Sequence, residues 1–71
     1  MTIIEIRIVK ILVEGALEWV RDHPETPLLD TLEGFEMIMS RELDPAEFKI
    51  TPKQWQRCLH AAYAEAKGRK K

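Results

Sequence analysis

The chain has few of the residues that usually reinforce a small domain. Its 71 residues include one cysteine, Cys58, so an internal disulfide is excluded. Two histidines together with that cysteine fall short of the four nitrogen or sulfur ligands of a structural zinc site. A domain of this size buries only about 60% of the surface of its unfolded chain, which makes it marginal alone. We therefore expect a partner chain or a homodimer to add stability, with an unusually well-packed helical monomer as the alternative.

Long apolar runs and targeting signals are also missing. No run reaches 18 apolar residues, so the sequence predicts no membrane-spanning helix and no membrane partner. The first residues include Glu5 and lack both a basic segment and a small-residue cleavage site, which argues against a secretory signal. An unpaired cysteine fits a reducing compartment, so we predict a cytoplasmic protein.

Residues in patterns that support catalysis are sparse. The three glycines are isolated, so there is no Gly-rich phosphate loop. Cys58 and His60 lie two positions apart on a predicted helix, where their side chains diverge and cannot act as nucleophile and base. We expect Cys58 to be an inert buried thiol. We expect His23 to stabilise the end of the first helix, where a partly charged imidazole interacts favourably with the helix dipole. The sequence predicts no enzyme, no cofactor and no metal site.

Charge is plentiful but unevenly distributed. Residues 1–47 contain four basic and eleven acidic residues, a balance of −7. Residues 48–71 contain seven basic residues and one acidic residue, a balance of +6. The formal net charge of −1 therefore hides an acidic part and a basic part.

The apolar pattern predicts an all-α fold, a single small domain over residues 1–71. Twelve of the eighteen residues in 3–20 are apolar, and at helical spacing ten of them, all but Ile3 and Ile6, cover an arc of about 240°. One facing helix cannot cover that arc, so the first helix is either central in the fold or shared with a second chain. Apolar and charged residues alternate within residues 2–7, so a β-strand remains an alternative to a helix there. The candidate dimer or core face consists of Ile4, Ile8, Ile11, Leu12 and Trp19.

A second helix is predicted over residues 27–43. Thr26 followed by Pro27 has the pattern of an N-cap and a first helical residue. Gly34 falls inside this helix, where it costs about 1 kcal/mol unless it permits close approach of another helix.

A short helical turn and a third helix complete the prediction. Residues 44–47, Asp-Pro-Ala-Glu, have the pattern of a capped single turn. The third helix is predicted over 52–67, with Thr51 and Gln54 as a capping pair and Gly68 as the residue that ends it. Residues 68–71 are expected to form a disordered basic tail.

The third helix carries a basic stripe that offers a second interpretation of function. Basic side chains and a glutamine in one arc are the types that contact phosphates and base edges. A solvent-exposed face without a ligand is the simpler alternative. The candidate partner or nucleic-acid face consists of Lys53, Gln56, Arg57, His60 and Lys67.

These features predict a small non-enzymatic helical regulator or adaptor that acts by protein–protein interaction and self-associates through the first helix. The alternative is a regulator that binds DNA or RNA through the third helix. The acidic faces of one copy are complementary to the basic stripe of another. Acidic faces also resemble nucleic acid, and a nucleic-acid mimic is a third, minor possibility.

Overall fold

A computed structural model of the chain describes residues 1–69, which form three α-helices and one short 3-10 turn without any strand. The helices are α1 (Ile3–Asp22), α2 (Leu32–Glu42) and α3 (Pro52–Arg69), and the 3-10 turn is Pro45–Phe48. The prediction of an all-α, three-helix fold with a helical turn before the last helix is confirmed.

The first residues are helical, which resolves the choice between helix and strand. Thr2 is the N-cap of α1, and its hydroxyl accepts a hydrogen bond of 3.2 Å from the backbone N–H of Glu5. This Thr-x-x-Glu pattern satisfies one of the free amide groups at a helix start. At the other end, the backbone N–H of His23 bonds to the carbonyl of Trp19, and Pro24 follows.

The predicted start of α2 is wrong by five residues. Thr31, not Thr26, is the N-cap, and its hydroxyl accepts from the N–H of Gly34 at 3.0 Å. The Thr26 hydroxyl is occupied elsewhere, because it accepts a hydrogen bond of 3.1 Å from the Trp19 indole. The segment before α2 is a turn in which the N–H of Asp30 bonds to the carbonyl of Pro27.

α3 begins at its predicted capping pair, but it does not end at the predicted residue, Gly68. The Thr51 N–H bonds to the Gln54 side chain at 2.9 Å, and the Gln54 N–H bonds to the Thr51 hydroxyl at 3.2 Å. Gly68 lies inside the helix and has no positive φ, so it is not the residue that ends α3. Residues 68 and 69 are therefore helical rather than a tail, and residues 70 and 71 lie outside the described residues.

Side-chain pairs show how the helices run. Glu5 near the start of α1 contacts Gln54 and Arg57 near the start of α3, so these two helices are parallel. Phe35 packs on Tyr63, and the Trp55 indole donates to Ser40, so α2 is antiparallel to α3. The core between the helices is formed by Ile8, Leu12, Val13, Ala16, Leu28, Leu29, Phe35, Met39, Trp55, Cys58, Leu59, Ala62 and Ala66.

Candidate interaction surfaces

The candidate face of α1 divides between the core and the surface. Ile8 and Leu12 are buried in the core, and Trp19 is half-buried with its indole bonded to Thr26. Ile4 and Ile11 point outward, with 58% and 45% of their surfaces exposed. The structure therefore separates residues that hold the chain together from residues that are free to contact another molecule.

Exposed isoleucines are concentrated in the first half of α1. Ile3 and Ile6 are 72% and 56% exposed, in addition to Ile4 and Ile11. They remain uncovered because the main contact of α1 is with α3 on one side, and α2 packs chiefly on α3. Single exposed apolar residues are common, but four exposed isoleucines within residues 3–11 indicate an interaction surface.

A groove runs between the middle of α1 and the end of α2. It encloses about 300 Å³, and apolar atoms of Ile11, Gly15 and Met39 contribute to its walls. The absence of a side chain at Gly15 gives the groove its depth, because a Cβ there would lie 3.7 Å from the Met39 Cε atom. Glu18, Asp22 and Glu42 also line the groove, so its rim is acidic.

An aromatic pair closes one end of this groove. The Trp19 and His23 rings stack with centroids 4.4 Å apart. The Nδ1 atom of His23 lies 3.2 Å from the Trp19 carbonyl oxygen, at the end of α1. This position agrees with the interpretation that His23 completes the helix end, and it gives the ring a structural contact.

Four of the five residues predicted for the basic face come together. Lys53, Gln56, Arg57 and His60 line one shallow depression on α3. Lys67 does not join them, because its Nζ atom lies 3.3 Å from the Tyr63 hydroxyl and 5.4 Å from the centre of that ring.

Two of these side chains already face carboxylates. The Arg57 Nε atom lies 3.4 Å from Oε2 of Glu5, and His60 Nε2 lies 3.6 Å from Oε1 of Glu36. The depression therefore offers less free positive charge than the sequence indicates. Within residues 1–69, Lys53 forms no ion pair, so its charge remains available.

Glu5 is the residue that the sequence analysis missed. It is only 2% exposed, and its Oε1 atom accepts hydrogen bonds from the Thr2 hydroxyl at 3.2 Å and from Gln54 Nε2 at 3.5 Å. Burial by itself would raise the pKa of this carboxyl, but the Arg57 guanidinium and the hydrogen bonds from Thr2 and Gln54 hold it below the ordinary value of 4.5. The Thr-x-x-Glu pattern at residues 2–5 was the available signal.

Cys58 lies close to the ion pair between Glu5 and Arg57. Its Sγ atom is 3.7 Å from the Glu5 carbonyl oxygen, and the side chain is fully buried. Burial, reinforced by the nearby Glu5 charge and opposed by Arg57, raises the pKa of the thiol above 9.0. A protonated, enclosed thiol is a poor nucleophile, which matches the inert role expected for Cys58.

Residues 1–69 contain neither a cluster of metal ligands nor a membrane-spanning helix. No group of three or more His, Cys, Asp or Glu side chains is placed to hold a metal ion in this part of the chain. None of its helices is long and apolar enough to span a bilayer. Comparison of the sequence and fold with protein-family models, curated proteins and solved structures gives no match.

Proposed function

We propose that this chain is a small non-enzymatic regulator or adaptor that acts by protein–protein contact and self-associates through α1. The observation that carries the proposal is the exposure of Ile3, Ile4, Ile6 and Ile11 on one half of a single helix. Burying a whole isoleucine side chain stabilises a structure by about 1.5–3 kcal/mol. Four half-exposed isoleucines therefore supply a driving force for association, although ordering and lost rigid-body freedom oppose it.

Sedimentation equilibrium over a range of micromolar concentrations tests this proposal. We expect the weight-average mass of the unmodified chain to rise with concentration toward that of a dimer. Ile11→Lys places a charge on the contact surface and should keep the chain monomeric. Met37→Lys is the matched control, because Met37 is 60% exposed on α2 and lies outside the proposed surface. A monomeric mass at every concentration would refute self-association.

A second function, binding of DNA or RNA through α3, is favoured by the grouping of Lys53, Gln56, Arg57 and His60 in one depression. Lysine and arginine on a helix face are the usual phosphate contacts, and glutamine and arginine reach base edges. The contacts of Arg57 with Glu5 and of His60 with Glu36 weaken this case, so we place it second.

Binding to duplex DNA and to single-stranded RNA across a salt series tests this second function. Binding that weakens with salt, and a salt slope reduced by about one in Lys53→Ala, would support it. Lys10→Ala is the control, because Lys10 is an exposed cation on α1. Absence of binding at low ionic strength would remove this function.

A further inference from the structure

A single stripe along α1 combines two of the exposed isoleucines with charges of both signs. Ile4, Arg7, Ile11, Glu14 and Glu18 are all exposed and are spaced three or four residues apart, so they lie along one side of the helix. The ion pairs formed within residues 1–69 use none of these three charged side chains. The stripe is basic in its first half, acidic in its second half and apolar at its centre.

We propose that the partner covering this stripe is the same stripe of a second copy, which runs antiparallel about a twofold axis at Ile11. This inference rests on the self-association proposed above and specifies its geometry. A twofold contact uses the same surface on both chains, so each residue must face a complementary one. With the axis at Ile11, the two Ile11 side chains meet, and residue 4 of one chain faces residue 18 of the other.

Charge decides between the two directions. In the antiparallel arrangement, Arg7 of one copy lies beside Glu14 and Glu18 of the other, and the contact occurs twice by symmetry. In a parallel arrangement, Arg7 faces Arg7, and Glu14 faces Glu14, so each contact is repulsive. Charge pairs of this kind fix the orientation of an interface more than its affinity.

The groove beside the stripe fits the same register. Gly15, Met39 and Ile11 contribute to its walls, and Glu18 stands on its rim. Ile4 of the second copy arrives opposite Glu18, next to the space that the missing side chain of Gly15 leaves in the groove. Ile4 of each copy therefore lies at the groove of the other copy.

Cysteine cross-linking under mild oxidation tests the direction and the axis. A disulfide requires Cα atoms about 4.4–6.8 Å apart. In Ile11→Cys the two thiols meet at the axis, so we expect a covalent dimer. In Ile4→Cys the thiols are about 21 Å apart along the helix, from seven residues on each side of the axis, so none should form. The unmodified chain is the control for Cys58, which is fully buried.

Charge exchange tests the pairing of Arg7 with Glu18. Arg7→Glu alone and Glu18→Arg alone create two like-charge contacts in each homodimer, and we expect each to weaken dimerisation by about tenfold. In an equimolar mixture the two variants complement each other at both contacts, so a heterodimer should form with nearly the original affinity. Lys53→Glu on α3 is the control for a charge reversal outside the contact and should leave dimerisation unchanged.

The outcomes separate this inference from the function on which it rests. A chain that is monomeric throughout overturns both. A dimer in which Ile4→Cys cross-links and Ile11→Cys does not, or in which the mixed variants fail to associate, overturns the antiparallel pairing and leaves self-association through α1 intact.

Discussion

Replacement of Gly15 by alanine should stabilise the fold. Gly15 is in the interior of α1, is exposed and does not have a positive φ. A Cβ at this position would meet only the Met39 Cε atom, at the ordinary contact distance of 3.7 Å. Glycine costs about 1 kcal/mol relative to alanine in a helix interior, partly because it adds freedom to the unfolded chain. We therefore expect Gly15→Ala to raise the free energy of unfolding by about 0.5–1 kcal/mol.

Gly34→Ala is the matched comparison, because the same substitution meets different surroundings. A Cβ at Gly34 would lie 3.1 Å from the Thr31 hydroxyl, which is the N-cap of α2 and accepts from the N–H of Gly34. Loss of an N-cap interaction costs about 0.5–2 kcal/mol, so displacement of the hydroxyl offsets the gain from alanine. The net change at Gly34 should be near zero or destabilising.

Urea unfolding followed by circular dichroism measures both changes, with thermal melts as a second measurement. In a domain of this size a change of 1 kcal/mol moves the melting temperature by about 4–8 °C. Protein concentration is kept low so that association does not contribute to stability. A Gly15→Ala variant that is less stable than the unmodified chain, or equal gains at the two positions, would refute the reasoning.

Three further outcomes are expected. Lys49→Gly should raise the free energy of unfolding in urea by up to about 1 kcal/mol, because Lys49 has a left-handed φ of 55°, and Lys49→Val should lower it. The lowered pKa of Glu5 contributes stability that is complete above the ordinary value of 4.5 and is lost as pH falls through the folded pKa. In urea unfolding, we therefore expect the free energy of unfolding to fall less in acid for Glu5→Gln than for the unmodified chain. A thiol reagent should label Cys58 only as fast as the chain opens, because the side chain is fully buried, and rapid labelling of the native protein would contradict the structure.

Local patterns in the sequence predicted the fold well where the controlling contacts are also local. The pairing of Thr51 with Gln54 spans three residues, and its hydrogen bonds form as the capping pattern indicates. The start of α2 was misplaced because Thr26 and Thr31 are equally good caps locally. The choice between them depends on Trp19, because its indole N–H donates a hydrogen bond to the Thr26 hydroxyl.

The surfaces were harder to predict because they depend on contacts between distant residues. Helical spacing placed Arg57 on a basic stripe, but its ion pair with the buried Glu5 joins residues from opposite ends of the chain. Periodicity likewise gave the width of the apolar arc on α1. It did not reveal that Ile8 and Leu12 are buried in the core while Ile4 and Ile11 remain exposed.

The parallel arrangement of α1 and α3 has a consequence for the order of folding. The contact between Cys58 and the Glu5 carbonyl joins residues 53 positions apart, whereas the contact between Trp55 and Ser40 spans 15 positions. Closing a longer loop costs more chain entropy before any contact forms. We therefore expect α2 and α3 to pair first and α1 to dock last, so that the isoleucines of α1 are most accessible in the step before the native fold is complete.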